Sequence, residues 1–442
     1  MRDIALALII FGALPFILMR PYIGLLVWSW LGYMNPHRLT YGFAYSFPWV
    51  QIVAITTLLA LAFGNERKRI PMSAVIWLLF AFLVWTGVTT IFAAEPAAAW
   101  LTYSQFAKTL ALVLVTLVLV HDRERLHWLV WVIVISLGFF GLKGGVYTLV
   151  HGGGNHVYGP PASFIADNND LAMALCMTLP LIRYLHLQAR GKWERMGLAL
   201  LMLATAISIL GTYSRGGVIG LAAVGAALMI KSRKQLTVIL AFVIVAVVAY
   251  HFMPEQWLAR MDTLHHAADT DSAETRIQSW EFATNVAVHR PLVGGGFDLY
   301  LNNSLWVAYG PDGTIRRAIH SIYFRVLGEH GFLGLLLFLG LLFVSWRDCS
   351  AVRKWTRGSA RERWMFDLAS MLQVSLLGFM VTGAATTSSY FDLTYQIMAM
   401  CVVLKVLAKA ERERADTPGP VGALPAAARD RPRLGAARQG RS

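Results

Sequence analysis

Residues 128–149, WLVWVIVISLGFFGLKGGVYTL, decide the fold class. A helix needs roughly 20 apolar residues to cross the hydrocarbon core of a bilayer, and this run has that length. Its apolar residues are continuous rather than alternating, which excludes a barrel strand. Arg123 and Arg125 stand just before it, where cations mark the cytoplasmic end of a span. Its one charge, Lys143, lies near the opposite end.

Similar runs occur near 48–64, 71–93, 101–121, 168–188, 197–213, 217–231, 235–252, 320–345, 366–383 and 395–408. Residues 4–35 are apolar too, but Arg20-Pro21 interrupts them, so they form either a hairpin or one broken pass. The total is 12 or 13 spans. Composition agrees: of 442 residues 57% are hydrophobic and 14% charged, against about 25% charged in a soluble domain. The chain reads as an all-α polytopic membrane protein whose surroundings are membrane lipids. The formal charge of +14 lies mostly in short loops and the C-terminal tail, the positive-inside pattern, and calls for no nucleic acid. The first apolar run lacks a small-residue cleavage site and is expected to be a retained span. Of the three cysteines, Cys176 and Cys401 fall within expected spans and Cys349 in a basic loop. The long polar loop therefore folds without disulfides, and neither a zinc site nor a thiol nucleophile is suggested.

The basic segments Arg67–Arg69, Arg123–Arg125, Arg190–Arg195, Lys231–Lys234 and Arg347–Arg363 alternate with connections poor in Lys and Arg, apart from the long one over 253–319. The basic side is cytoplasmic, so residues 94–100, 150–167, 253–319 and 384–394 face outward. Four regions follow: N-terminal spans over 1–252, an outer loop over 253–319, C-terminal spans over 320–408, and a disordered tail over 409–442 rich in Ala, Pro, Gly and Arg. Within the loop, Asp271 with Glu274 has capping-box spacing. Ile277, Trp280 and Ala283 share one face of the helix that follows. Pro291 and Gly294-Gly295-Gly296 end it. The glycines permit either close backbone approach or an anion-binding nest.

Arginine beside hydrocarbon rarely stands without a partner. Arg215, in the expected outer turn Ser214-Arg215-Gly216-Gly217, is either a snorkelling cation or a planar fork for phosphate oxygens. Arg276 on the loop helix is a surface charge if it acts alone and a second phosphate clamp if it meets Arg215. His320 follows Arg316-Arg317 at the start of a span. It is either a helix-end residue or a general base titrating near neutral pH. His265, His266 and His289 are weaker candidates. Lys108 lies inside a span, where a lysine is a functional hypothesis by default, with snorkelling as its competitor. Lys143 is a further assisting cation, with Arg290, Arg316 and Arg317. Asp167-Asn168-Asn169-Asp170 either caps a helix or hydrogen-bonds sugar hydroxyls. Asp269-Thr270-Asp271 fits the short acidic pattern of metal-dependent sugar transferases, but such a pattern recurs by chance, and arginines can neutralise a leaving pyrophosphate without a metal. No metal or cofactor is expected.

With these residues placed, the chain resembles the O-antigen ligase and polymerase superfamily of bacterial inner-membrane glycosyltransferases. The likeness rests on Tyr213–Gly217, on Arg276–Trp280 leading to His289–Gly296, and on His320–Tyr323 running into Glu329–Gly334. Residues 164–172 look like the family's Asn-rich motif, although Asp167 and Asn168 replace its more usual residues. Residues 1–38 look like the branch described as O-glycosylation ligases. The resemblance implies a GT-C-like fold with a helical periplasmic loop over the site, and a glycan donor on undecaprenyl pyrophosphate. The acceptor is lipid A–core oligosaccharide in the ligase branch, another repeat unit in the polymerase branch, and a protein hydroxyl in a third. The expected activity is O-antigen ligation in lipopolysaccharide biosynthesis, inverting and metal-independent. His320, Arg215 and Arg276 would be catalytic, and Lys108, Lys143, Asn168, Arg290, Arg316 and Arg317 would bind substrate. A transporter of lipid-linked glycans is the competing non-enzyme reading. It fits less well, because the two halves of the chain show no similar hydropathy.

Overall fold

A computed structural model describes residues 1–66, 68–231, 247 and 271–416. The described residues are helical, with nine helices long and apolar enough to cross a membrane and two shorter apolar ones. In chain order the helices are α1 (Arg2–Met19), α2 (Pro21–Met34), α3 (Trp49–Phe63), α4 (Ala74–Ile91), α5 (Pro96–Leu119), α6 (Arg123–Val150) and α7 (Asn168–Gln188). Then follow α8 (Lys192–Gly211), α9 (Arg215–Lys231), α10 (Asp271–His289), the short α11 (Asn303–Tyr309), α12 (Ile322–Trp355), α13 (Arg363–Gly383) and α14 (Asp392–Asp416).

The bundle has two unlike ends. At one, Arg125 pairs with Glu66 at 3.0 Å, the Tyr22 hydroxyl donates to the Arg125 carbonyl at 2.5 Å, and Gln188 Nε2 donates to Asp367 at 3.2 Å. At the other, the connections meet one another. The Ala94 amide donates to the Gly295 carbonyl at 2.9 Å and the Val157 amide to Gly211 at 2.8 Å. Ser388 Oγ donates to Asp170 at 2.7 Å. This sorting matches the alternation of basic and non-basic connections. It also shows that residues 2–34 form a hairpin rather than a broken pass. Arg20 is extended between the helices, Pro21 opens α2 where its missing N–H costs nothing, and Asp3 returns to the loop end to accept from the Gly42 amide at 3.0 Å.

Three expectations shift. The basic segment 347–363 is not a loop throughout, because α12 continues to Trp355 and carries Cys349 buried against Cys401, with the sulfurs 3.1 Å apart. The last helix runs to Asp416, eight residues into the expected tail. The buried face of α10 is Ser279, Phe282, Ala283, Val286 and Ala287, a clean i, i+3, i+4, i+7, i+8 stripe. Ile277 is off that stripe and 52% exposed. The expected span 235–252 apart from residue 247, His265, His266, Asp269, Thr270 and the tail past 416 lie outside the described residues.

Small residues let these helices approach closely, as membrane helices do. A Cβ at Gly145 of α6 would stand 2.2 Å from the Ala204 carbonyl of α8. The most demanding glycine is Gly331, which breaks α12 with φ 68° and ψ −171°. The Phe332 amide donates across the break to the Pro291 carbonyl at 2.9 Å, and a Cβ at Gly331 would lie 2.2 Å from the Leu292 carbonyl. Gly331→Ala combines a left-handed backbone cost with a backbone clash, about 2–4 kcal/mol together. A thermal melt of the purified variant should show a clear drop. A melting point unchanged from the parent would mean that the break tolerates a side chain.

Candidate active site at the loop end

The loop between α13 and α14, residues 384–391, gathers the pieces of the site. Its Ser388 holds Asp170 on α7. Ser389 Oγ donates to the Ile322 carbonyl at 3.2 Å, at the start of α12, and the Thr387 carbonyl accepts from Arg325 at 2.5 Å. Ala385 packs on Gly216, where an added Cβ would come within 3.1 Å of it. One loop therefore touches the turn that carries Arg215, the N-terminus of α7, and the helix that His320 precedes.

Arg215 does not sit in a naked turn. Tyr213 adopts the left-handed region at φ 59°, and Arg215 opens α9. Ser214 caps that helix, its Oγ accepting from the Gly217 amide at 3.1 Å and donating to Asn169 Oδ1 at 2.7 Å. Gly216 and Gly217 serve helix packing: a Cβ at Gly217 would stand 2.7 Å from Ala172. Asn168 is buried and donates to the Thr212 carbonyl at 2.7 Å. The Asp167–Asp170 motif thus fastens the start of α7 to the Arg215 turn. Asp167 also caps α7 through the Asn169 amide at 2.8 Å, as its capping reading expects.

His320 precedes α12 and is partly buried. The Trp280 indole of α10 donates to its carbonyl at 3.3 Å and stacks on Phe324 at 5.0 Å. That contact brings the turn of α10 bearing Arg276 to His320. Burial holds the imidazole below its ordinary value of 6.5. The Arg276 guanidinium and, further, Arg325 push it the same way, while the Asp167 carboxylate opposes them. His320, Arg276, Arg325 and Asp167 therefore share one electrostatic neighbourhood, assembled from α10, α12 and the segments leading into α7 and α12.

Beneath His320 lies a network that sequence reading missed. Arg325 Nη2 meets Asp298 Oδ1 at 2.9 Å and its Nε meets Glu329 Oε1 at 3.0 Å. The Tyr390 hydroxyl donates to Glu329 Oε2 at 2.5 Å and lies 2.8 Å from His330 Nε2. Thr89 closes the chain, 2.7 Å from His330 Nδ1. The Asp298 amide donates to Glu329 Oε1 at 2.9 Å, so the loop after α10 is keyed to α12. The glycines of that loop form no anion nest: the Gly295 and Gly296 amides donate to the Gly328 and Glu329 carbonyls at 2.8 and 2.9 Å. They serve close approach, since a Cβ at Gly294 would lie 2.4 Å from the Gly328 carbonyl.

The remaining expected residues lie elsewhere. Arg290 donates to the Phe92 carbonyl at 2.8 Å and ties α10 to α4. Arg316 binds the Leu301 carbonyl, and both Arg316 and Arg317 are exposed. Lys143 is exposed on the flank of α6. Lys108 is exposed on the face of α5 away from Phe106, lining a separate groove with α2 and α3.

Residues 198–339 match the O-antigen ligase family model, a segment that contains Arg215, Arg276, His320, Arg325 and Glu329. Residues 1–190 match a family of unknown function, DUF5935. A comparison with curated proteins finds no match. The match over residues 198–339 supports an O-antigen ligase superfamily member and a glycosyltransferase-type enzyme, in line with the motifs, and the apolar helices indicate a multi-pass membrane protein.

Proposed function

We propose that this superfamily member transfers a preassembled glycan from undecaprenyl pyrophosphate to a sugar hydroxyl of lipid A–core oligosaccharide, at the periplasmic face of the bacterial inner membrane. The observation that carries the reading is the contact of Trp280 with the His320 carbonyl, which sets the helix bearing Arg276 against His320 at the loop end, where Arg276, Arg325 and Asp167 act on the imidazole electrostatically. A histidine kept neutral by burial and by guanidinium neighbours is suited to accept a proton at neutral pH. In this reading the His320 imidazole takes the proton of the acceptor hydroxyl. The oxygen attacks the anomeric carbon opposite the pyrophosphate, and the glycosidic C–O bond breaks with its electron pair on the phosphate oxygen. Arg215 and Arg276 hold the pyrophosphate and offset the charge that grows on it. One displacement inverts the anomeric configuration, and no metal is invoked.

The test is reconstitution with a lipid-linked glycan and three acceptors in parallel: lipid A–core, a second lipid-linked repeat unit and a peptide. Product on lipid A–core, formed in the presence of chelator, supports the ligase reading. Product on the repeat unit alone makes the chain a polymerase, product on peptide alone a protein glycosyltransferase. Turnover lost in EDTA and restored by Mg²⁺ overturns metal independence.

The two clamps predict different losses. Arg215→Lys keeps the charge and loses the fork, so donor binding should weaken about tenfold even though the substitution is nominally conservative. Arg276→Ala should weaken donor binding and also lower turnover, because phosphate charge is present in the ground state and grows in the transition state. Donor binding measured beside single-turnover transfer separates these effects, and silence of both variants would remove the anion clamp from the mechanism.

A further inference from the structure

A concave feature lies at the same end of the bundle, on the far side of α5. Phe106 faces inward and packs on Tyr390, with ring centroids 5.3 Å apart. Lys108, two residues on, faces a groove of about 740 Å³ between α2, α3 and α5. The aromatic wall of Phe106, Tyr390 and Phe297 separates this groove from the Arg325–Glu329 network, so a group bound there is not presented to His320.

The lining changes character along all three helices in the same sense. On α2, Asn35 stands at the loop end and Trp28 lies deeper. On α3, Gln51 comes first, and Ile55 and Leu58 follow toward the membrane interior, both well exposed. On α5, Gln105 and Lys108 precede Leu112. Three elements thus place polar groups at the interface and apolar groups below, which is the profile of an amphiphile standing in one leaflet. The polar rim has unspent capacity. Arg38 Nε and His37 Nδ1 are buried without a hydrogen-bond partner among the described residues. At the same end, where α14 begins, the buried Asp392 has only backbone hydrogen bonding, from Leu393 at 3.1 Å, and no ion pair among the described residues.

We propose that this groove binds one acidic glycerophospholipid with a hydroxylated headgroup, of the phosphatidylglycerol type, as a resident lipid distinct from either substrate. Lys108 and Arg38 meet the phosphodiester, two cations against a single negative charge. Asp392 accepts the headgroup hydroxyl, and the acyl chains lie along Ile55, Leu58 and Leu112. A zwitterionic choline headgroup would set its quaternary ammonium against that cationic rim and offers no hydroxyl to Asp392. The α6–α7 connection lends Ser163 to the rim, so the bound lipid also braces the segment that leads to Asp167.

The experiment is native mass spectrometry of the detergent-purified full chain after delipidation. Phosphatidylglycerol, phosphatidylcholine, undecaprenyl phosphate and soluble glycerol phosphate are titrated separately and in competition. One equivalent of phosphatidylglycerol should be retained in preference to phosphatidylcholine, and glycerol phosphate should not bind. Lys108→Glu should lower phosphatidylglycerol occupancy about tenfold, the scale of one lost charge-assisted contact. Ile55→Trp should lower it by filling the tail region. Both positions are exposed, so an unchanged melting point is expected and serves as the folding control. Lys108→Gln replaces Lys108→Glu if the reversal disturbs the fold. Equal retention of the two phospholipids, or parental occupancy in the Lys108 and Ile55 variants, overturns the proposal. So does one-for-one displacement by undecaprenyl phosphate, which would assign the groove to the donor. Each readout is binding alone and is independent of whether transfer to lipid A–core occurs.

Discussion

Replacing His320 by alanine should leave donor binding in place and slow single-turnover transfer about 10²–10⁴-fold, the usual worth of a positioned general base. The substitution is structurally mild, because the backbone carbonyl that receives the Trp280 indole is retained and Ser389 grips Ile322 rather than the imidazole. The sign of the pH dependence follows from the neighbours. Burial and the Arg276 and Arg325 guanidinium groups disfavour the imidazolium, so the base form persists to lower pH. The acid limb of kcat/KM should then fall below the ordinary histidine value of 6.5. Arg276→Gln removes one repelling cation and should move that limb upward, whereas Asp167→Asn removes the opposing carboxylate and should move it further down. A residue acting only as a helix end would show neither shift. Parental turnover in His320→Ala would send the search for the base to Asp167.

The sequence made the membrane class, the alternation of the two ends and the loop helix legible, because each rests on local information: apolar run length, Lys and Arg placement, and the stop at Pro291. Arg276 and His320 stood out as candidates, and their shared neighbourhood follows from Trp280, which lies on the same helix as Arg276 and binds the His320 carbonyl. Arg325 was not legible, since it stands in the first turn of an apolar run and reads as a snorkelling cation. Its signal was the i, i+4 spacing to Glu329 inside a span, where two opposite charges rarely occur without each other. The lysines show the opposite case. Lys108 and Lys143 each announce themselves within an apolar helix, but the direction a helix face takes is set by its neighbours, and both are exposed, Lys108 to a separate groove. The glycine triplet was ambiguous between a nest and a close approach, and only the partner carbonyls of Gly328 and Glu329 decide it.

The other large effect belongs to Arg325, whose side chain is 14% exposed and paired with Asp298 and the fully buried Glu329. Arg325→Met removes the only cation that meets these two carboxylates among the described residues. Breaking one side of a buried pair typically costs about 3–5 kcal/mol, because the remaining charge keeps its desolvation penalty without the attraction that offset it. The Thr387 carbonyl also loses its donor, which loosens the loop that joins the Arg215 turn to the start of α12. Thermal or denaturant unfolding of the purified variant should therefore show a loss of that size. Adding Glu329→Gln should restore more than half of it, since the glutamine carbonyl oxygen still accepts from the Asp298 amide and its NH2 can donate to the Tyr390 hydroxyl oxygen, while the side chain no longer carries an unpaired charge. Such strong non-additivity is the signature of residues acting as one unit. If Arg325→Met costs less than about 1 kcal/mol, the value of an exposed pair, the network does not hold the loop end together. The placement of His320 would then have to come from the Trp280–Phe324 stack alone.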